Sequence, residues 1–263
     1  MLRGPTPSNE TVLPQAQPAL ELCVSVWSSP AGAAQAGGDW CDVFAISEHV
    51  LGLTVGDVSG HGGEVAGMMG AMRTAVLRAM HHVNVPSEVL ALANAVALSQ
   101  ARGAGVIVTA IVAILDQRGP TLTFANAGHP PPLMLTSEGH AFLRHAPADL
   151  PLGIFRNYRA ADYVVALPSD ALLVLYTDGI TEHDRDPVAG EIELIEAARL
   201  VHAQPNLDAA RAIARQVLRR TRGDDDAAAI GLRMTPRRAA ESGAAGGPLH
   251  AVSSAELCLP DKR

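Results

Sequence analysis

Short apolar runs separated by turn residues set the pattern at the start of the chain. "LELCVSVW", "CDVFAI" and "VLGLTVGD" are predicted as strands, and "SEH" between the second and third predicts a hairpin. Past Gly63 the period changes. Val65, Met68, Met69, Met72, Val76 and Met80 recur at helical spacing, and "PSEVLALANAVALSQ" predicts a second helix with Pro86 in its first turn. The methionines read as core filler, not as a cofactor box. "GVIVTAIVAILD", the turn "QRGP" and "TLTFANAG" predict another hairpin, with further strands at "PLMLT", "DYVVAL" and "ALLVLYTDG". Two late helices, about Glu191 to His202 and Asp208 to Arg222, precede a last strand "AAAIGLRM". Short links between successive strands predict antiparallel pairing. Strands cluster apart from helices, which is the α+β pattern and not a doubly wound parallel sheet. No repeat of solenoid or propeller period is present.

The ends lack this patterning. Residues 1–19 are rich in Pro, Gln and Thr, and residues 236–263 are small, polar and aperiodic. The expected organisation is an irregular segment 1–19, one domain at 20–235 and an unpacked tail 236–263. With 263 residues and 48% hydrophobic content, the chain can bury a sizeable core. No apolar run is long enough to cross a membrane, and the start lacks the apolar stretch of a secretion signal, so a cytoplasmic location is expected. Cys23, Cys41 and Cys258 are odd in number and without metal-type spacing, which reads as free thiols. A net charge of -7 without a basic block argues against nucleic acid or an anionic membrane as partner. A protein or a small substrate fits better.

Acids gather at the predicted strand ends. Asp39 lies just before a strand, Asp57 at the end of the next, Asp178 at the end of "LLVLYT", and Asp224, Asp225 and Asp226 just before the last strand. Each alone is ordinary turn chemistry. Together, strand ends of a sandwich converge on one rim, where carboxylates about 4 Å apart repel by roughly 4 kcal/mol per pair at an effective dielectric of 20. Such a cluster calls for cations or protons. With no His or Cys at ligand spacing, the donor set is all oxygen, which suits Mg²⁺ or Mn²⁺ and not zinc. Gly38, Gly56 and Gly60 are expected to let the backbone pass close to a hydrated ion, with the Val58 carbonyl as a further donor.

The ordered motifs "GGDWCD", "GDVSGHG", "NAGHPPPLML", "LPLG", "LYTDGITE" and "DDDAAAIGLRM" resemble the SpoIIE/RsbU-type bacterial serine phosphatases, a branch of the metal-dependent, protein phosphatase 2C-like (PPM) family, from about Leu20 to Met234. The resemblance implies an α-β-β-α sandwich of two antiparallel sheets flanked by helices, with two divalent ions, Mn²⁺ or Mg²⁺, on its rim. By motif match Asp39, Asp57, the Val58 carbonyl, Asp178 and Asp225 correspond to the metal site, with Asp57 bridging the ions and activating water. Asp226, Asp224, Glu182 and His61 are lesser candidates. Water would attack phosphorus directly, without a phosphoenzyme. The implied substrate is a phosphoserine or phosphothreonine protein, an anti-sigma-factor antagonist in a partner-switching pathway. The alternative is a phosphatase-like module that binds a partner without turnover.

Other motif residues carry less. Ser59 fails the G-x-S-x-G pattern because Asp57 stands two residues before it. His61 is expected to shape its loop by a hydrogen bond, His129 to be a turn residue, and His81 with His82 to lie at a helix surface. Cys41, Ser169 and Ala228 depart from the family pattern without removing a ligand. Residues 1–19 are too few to encode the sensor domain that family members often carry. Control is therefore expected from a regulatory protein docking on the helices Gly63 to Gln100, which follow the Asp57 loop directly.

Overall fold

The computed structural model describes residues 20–31, 37–100, 106–119, 121–145, 149–182, 186–204, 207–220 and 225–236. The expected irregular end segments, with Asp224 and Cys258, lie outside these apart from Pro236. The elements are β1 (Leu20–Ser29), β2 (Trp40–Ser47), β3 (Val50–Val58), α1 (Gly63–Met80), α2 (Pro86–Gln100), β4 (Val108–Asp116), β5 (Thr121–Ala127), β6 (Leu133–Leu135), β7 (Ala141–Leu143), β8 (Tyr163–Ala166), β9 (Leu172–Tyr176), α3 (Pro187–His202), α4 (Ala209–Val217) and β10 (Ala227–Pro236). They form two five-stranded sheets, ordered β1-β10-β9-β6-β7 and β2-β3-β4-β5-β8. Every pairing is antiparallel.

The period-two pattern assigns the layers. On β4, Val108, Ala110, Val112 and Ile114 face α1 and α2, while Ile111, Ala113 and Leu115 face the other sheet. On β9, Leu173 and Leu175 meet them across the sandwich, and Leu172, Val174 and Tyr176 pack under α3 and α4. Strands apolar on both faces therefore form the middle of four layers, helices outside, and the α+β sandwich expectation holds.

Local chemistry starts and stops the helices. Asp186 accepts the Ala189 N–H and Pro187 occupies the first turn, so α3 begins four residues before the expected Glu191. Asp208 caps α4 through the Arg211 N–H, and this helix closes in a short 3₁₀ turn, Leu218–Arg220, before the expected Arg222. Buried Arg233 on β10 donates to the carbonyls of His202 and Val201 at 2.9 and 3.0 Å, satisfying the end of α3. Strand β7 is an element that the sequence pattern missed. Its three residues alternate too briefly to register, and pairing with β6 creates it.

Candidate metal centre

Asp39 sits immediately before β2, Asp57 is the penultimate residue of β3, Asp178 opens a 3₁₀ turn after β9, and Asp225 and Asp226 directly precede β10. Each sheet thus sends acids to the same rim. The two halves are sewn together there. The Ala31 and Gly38 N–H groups donate to the two oxygens of Asp226 at 2.7 and 2.6 Å, and the Val58 N–H donates to the Gly38 carbonyl at 3.2 Å. Buried Thr177, just before Asp178, receives the Ala228 N–H on its hydroxyl at 2.8 Å.

The electrostatics are those of crowded, half-buried acids. Burial, reinforced by the charges of Asp57 and Asp178 against a hydrogen bond from Thr177, pushes the Asp39 carboxyl up to about 9. Asp57 is raised chiefly by burial; its direct interaction with the Asp39 carboxyl opposes this, and the charges of Asp225 and Asp226 add to it. Burial, then the charges of Asp57, Glu182 and Asp225, lift Asp178 to about 6. Among the described residues the Oδ2 atom of Asp39 is buried with no hydrogen-bond partner, a loss worth about 1–3 kcal/mol for a polar group.

These features fit a hard divalent cation: the donors are all oxygen, one is orphaned, and the charges are of one sign. Bare backbone brings them close. A Cβ at Gly38 would lie 2.5 Å from the Val58 carbonyl oxygen and 3.3 Å from Asp57 Oδ1, so the loop ahead of Asp39 rests directly on Asp57 and Val58. Among the described residues, no three acidic, imidazole or thiol groups close into a finished coordination shell. Like charges share the rim without converging.

Several expectations are corrected. Gly56 does not serve an ion: a Cβ there would sit 2.2 Å from the Trp40 ring, so its bareness seats Trp40. The loop after Asp57 is braced by Ser59 and not by His61. The Ser59 hydroxyl accepts the Ile107 N–H, and its own N–H donates to the Ile107 carbonyl, both at 2.9 Å. His61 is exposed and makes no hydrogen bond among the described residues. His129 is more than a turn residue, because its buried ring contacts Thr109 of one sheet and Tyr176 of the other. Asp42, the third acid of the opening motifs, turns away to a two-point ion pair with Arg73 of α1 at 2.6 and 2.7 Å.

The lesser candidates separate. Both Asp226 oxygens are occupied by backbone donors, whereas exposed Asp225, among the described residues, accepts the Asp226 N–H on Oδ1 at 2.9 Å. Glu182 is exposed next to Asp178, its N–H bonded to the Asp178 carbonyl at 2.7 Å. Thr177 was missed by sequence reasoning; the only signal is a hydroxyl ending an apolar run. A groove of about 300 Å³ lined by Met134, Phe142, Arg144 and Val164 contains none of these acids.

This fold is the one found in PP2C-type phosphatase domains. The phosphatase domain of SpoIIE from Bacillus subtilis superposes with a TM-score of 0.72 at 15% identity, covering 84% of this chain and 66% of that one. The RsbU and RsbW domains of a Mycobacterium tuberculosis protein superpose with a TM-score of 0.73 at 27% identity, covering 83% of this chain and 62% of that one. The family model for Stage II sporulation protein E (SpoIIE) matches residues 47–235, and the chain belongs to that family. Asp39 lies ahead of the matched stretch. Phosphoserine phosphatase RsbP of Bacillus subtilis is 28% identical over 149 residues, covering 55% of this chain and 36% of RsbP. Phosphoserine phosphatase RsbU of the same organism is 27% identical over 150 residues, covering 57% of this chain and 44% of RsbU. The chain therefore spans less than half the length of these two relatives.

Proposed function

We propose that this chain is a metal-dependent phosphatase that hydrolyses phosphoserine or phosphothreonine on a protein. The observation that carries the reading is the gathering of Asp39, Asp57, Asp178 and Asp225 from both sheets at one rim, where Asp39 and Asp57 interact directly and Asp39 keeps an orphaned buried oxygen. A structural role does not call for such a cluster, since it costs stability without a cation.

Asp39, Asp57, Asp178, Asp225 and the Val58 carbonyl would hold two divalent ions, Mn²⁺ or Mg²⁺. Ions in that position supply an activated water and positive charge against the phosphoryl oxygens. The chain's own part is positional. The carboxylates act as ligands and not as nucleophiles, so no phosphoenzyme forms. Ser59, engaged with Ile107, is not an attacking group. Family membership, the names of RsbU and RsbP as phosphoserine phosphatases, and a neighbouring structure of RsbX solved with magnesium support the reading.

The proposed substrate is a phosphorylated anti-sigma-factor antagonist met in the cytoplasm, with a regulatory protein acting through α1 and α2. The test is phosphate release from an aryl phosphate and from a phosphoserine peptide, with Mn²⁺ or Mg²⁺ and with chelator. Metal-dependent turnover that disappears in Asp57→Asn is the expected result. Tight metal binding without turnover on any phosphoprotein would favour the non-catalytic binding module.

A further inference from the structure

We infer that Asp226 is a positioning residue that sets the metal site from outside it and is not itself a ligand. The inference rests on the metal-centre reading above. Asp226 stands at the entry to β10 in one sheet, and both of its carboxylate oxygens are taken by backbone N–H groups of the segment that leads into β2 of the other. Ala31 donates at 2.7 Å and Gly38 at 2.6 Å, across sequence separations of 195 and 188 residues. Bonds this short to an ionised acceptor are the strong, charge-assisted kind.

What the clamp holds is specific. Gly38 is the residue before Asp39, and its carbonyl receives the Val58 N–H. Through one residue, Asp226 therefore fixes the backbone of one proposed ligand and the strand end that presents two others, Asp57 and the Val58 carbonyl. Gly37 leaves room for the carboxylate. A Cβ on Gly37 would fall about 2.0 Å from Asp226 Oδ2, so a side chain there displaces the carboxylate from its two donors. Each carboxylate oxygen is committed to one backbone donor, and leaving the clamp to bind an ion would strand the Ala31 and Gly38 N–H groups. Among the described residues, Asp225 is held by one local bond and by no clamp of this kind.

The experiment is a double-mutant cycle of Asp226→Asn and Gly37→Ala, with Asp225→Asn in parallel. Its readout is the Mn²⁺ concentration that gives half of the full thermal stabilisation. Asp226→Asn keeps the size of the side chain but places an NH₂ against one of the donors. Gly37→Ala reaches the same clamp from the opposite side without altering any acid. Each single variant is expected to raise half-saturating Mn²⁺ by roughly 10- to 100-fold, the range typical of groups that orient metal ligands. The double variant is expected to be no weaker than the worse single, because both break one contact. Asp226→Glu, which retains the charge but overshoots the donors, is expected to behave like Asp226→Asn. Losses that multiply in the double variant, or an Asp226→Glu that binds Mn²⁺ like wild type, would overturn the inference and make Asp226 a ligand. So would a Gly37→Ala variant with unchanged Mn²⁺ binding. If Asp225→Asn also leaves Mn²⁺ binding untouched, the metal-centre reading itself falls.

Discussion

His129 Nε2 lies 3.0 Å from the main-chain carbonyl of Tyr176. A carbonyl only accepts, so Nε2 carries the proton, and Nδ1 accepts from the Thr109 hydroxyl 2.8 Å away. Thr109 is the cross-strand partner of Asp57, and Tyr176 stands two residues before Asp178. One neutral imidazole thus joins the strand that carries one acid to the strand that carries another. The turn itself is pinned by Asn126, whose side chain accepts the His129 N–H and donates to its carbonyl.

Burial lowers the pKa of His129 to about 3, against an ordinary value of 6.5. The unfolded chain therefore binds a proton below about 6.5 that the folded chain refuses until about 3. Stability from this group is complete above that window and declines as pH falls through it, with a limiting slope of about 1.4 kcal/mol per pH unit. His129→Gln should lack this slope. Urea unfolding of both proteins at pH 7.5 and 5, compared as a difference so that the shared acids cancel, should show the wild-type advantage shrinking at pH 5. An advantage of equal size at both values would refute the neutral-imidazole account.

Crowded acids without a cation oppose folding. Asp39→Asn removes a carboxyl that must take up a proton to be buried at neutral pH, and leaves a neutral group able to hydrogen bond. In chelator its melting temperature should rise by a few degrees above wild type, while the further rise that Mn²⁺ gives the wild type should be lost. A variant less stable than wild type in chelator would mean that Asp39 is held by compensating bonds and not repelled.

The pair formed by Arg73 and Asp42 anchors α1 to β2 with two short bonds, and its side chains are 36% and 14% exposed. Arg73→Ala should cost roughly 1 kcal/mol, near the upper end for partly exposed pairs because of the two-point geometry. Raising the salt concentration should narrow the gap between variant and wild type in urea unfolding. Because α1 follows the Asp57 loop, the proposed phosphatase turnover should also fall in the variant, measured at saturating metal. A stable variant with full turnover would detach α1 anchoring from the site.

Arg233 is 4% exposed and gives its charge to the last carbonyls of α3. Arg233→Ala takes a donor from each of those carbonyls, of which Val201 keeps the Gln204 N–H, and opens a small void, a loss of about 2 kcal/mol or more. Hydrogen exchange should quicken first at the C-terminal turn of α3. Unchanged exchange there would show that water replaces the guanidinium.

The helix spacing of Val65, Met72, Val76 and Met80, the two hairpins, and the position of each acid at a strand end were all legible in the chain, because period and turn chemistry are local properties. The same local logic misjudged Gly56, since nothing near it in sequence says that the Trp40 ring will lie across it. It assigned loop shaping to His61, where Ser59 does the work, because the hydroxyl's partner, Ile107, is 48 residues away.

The sequence by itself determined the strands and helices apart from β7 and the exact helix ends, that the sheets are antiparallel, and that a set of acids with oxygen-only chemistry would lie at strand ends. Only the tertiary structure decided how those acids divide their work. Asp42 goes to Arg73, Asp226 to the backbone of Ala31 and Gly38, and His129 spans the two sheets, while Asp39, Asp57, Asp178 and Asp225 are left to the rim. The physical reason is that a carboxylate's role is set by the donors it meets. Those donors arrive from the opposite sheet or a distant helix once the apolar faces have packed.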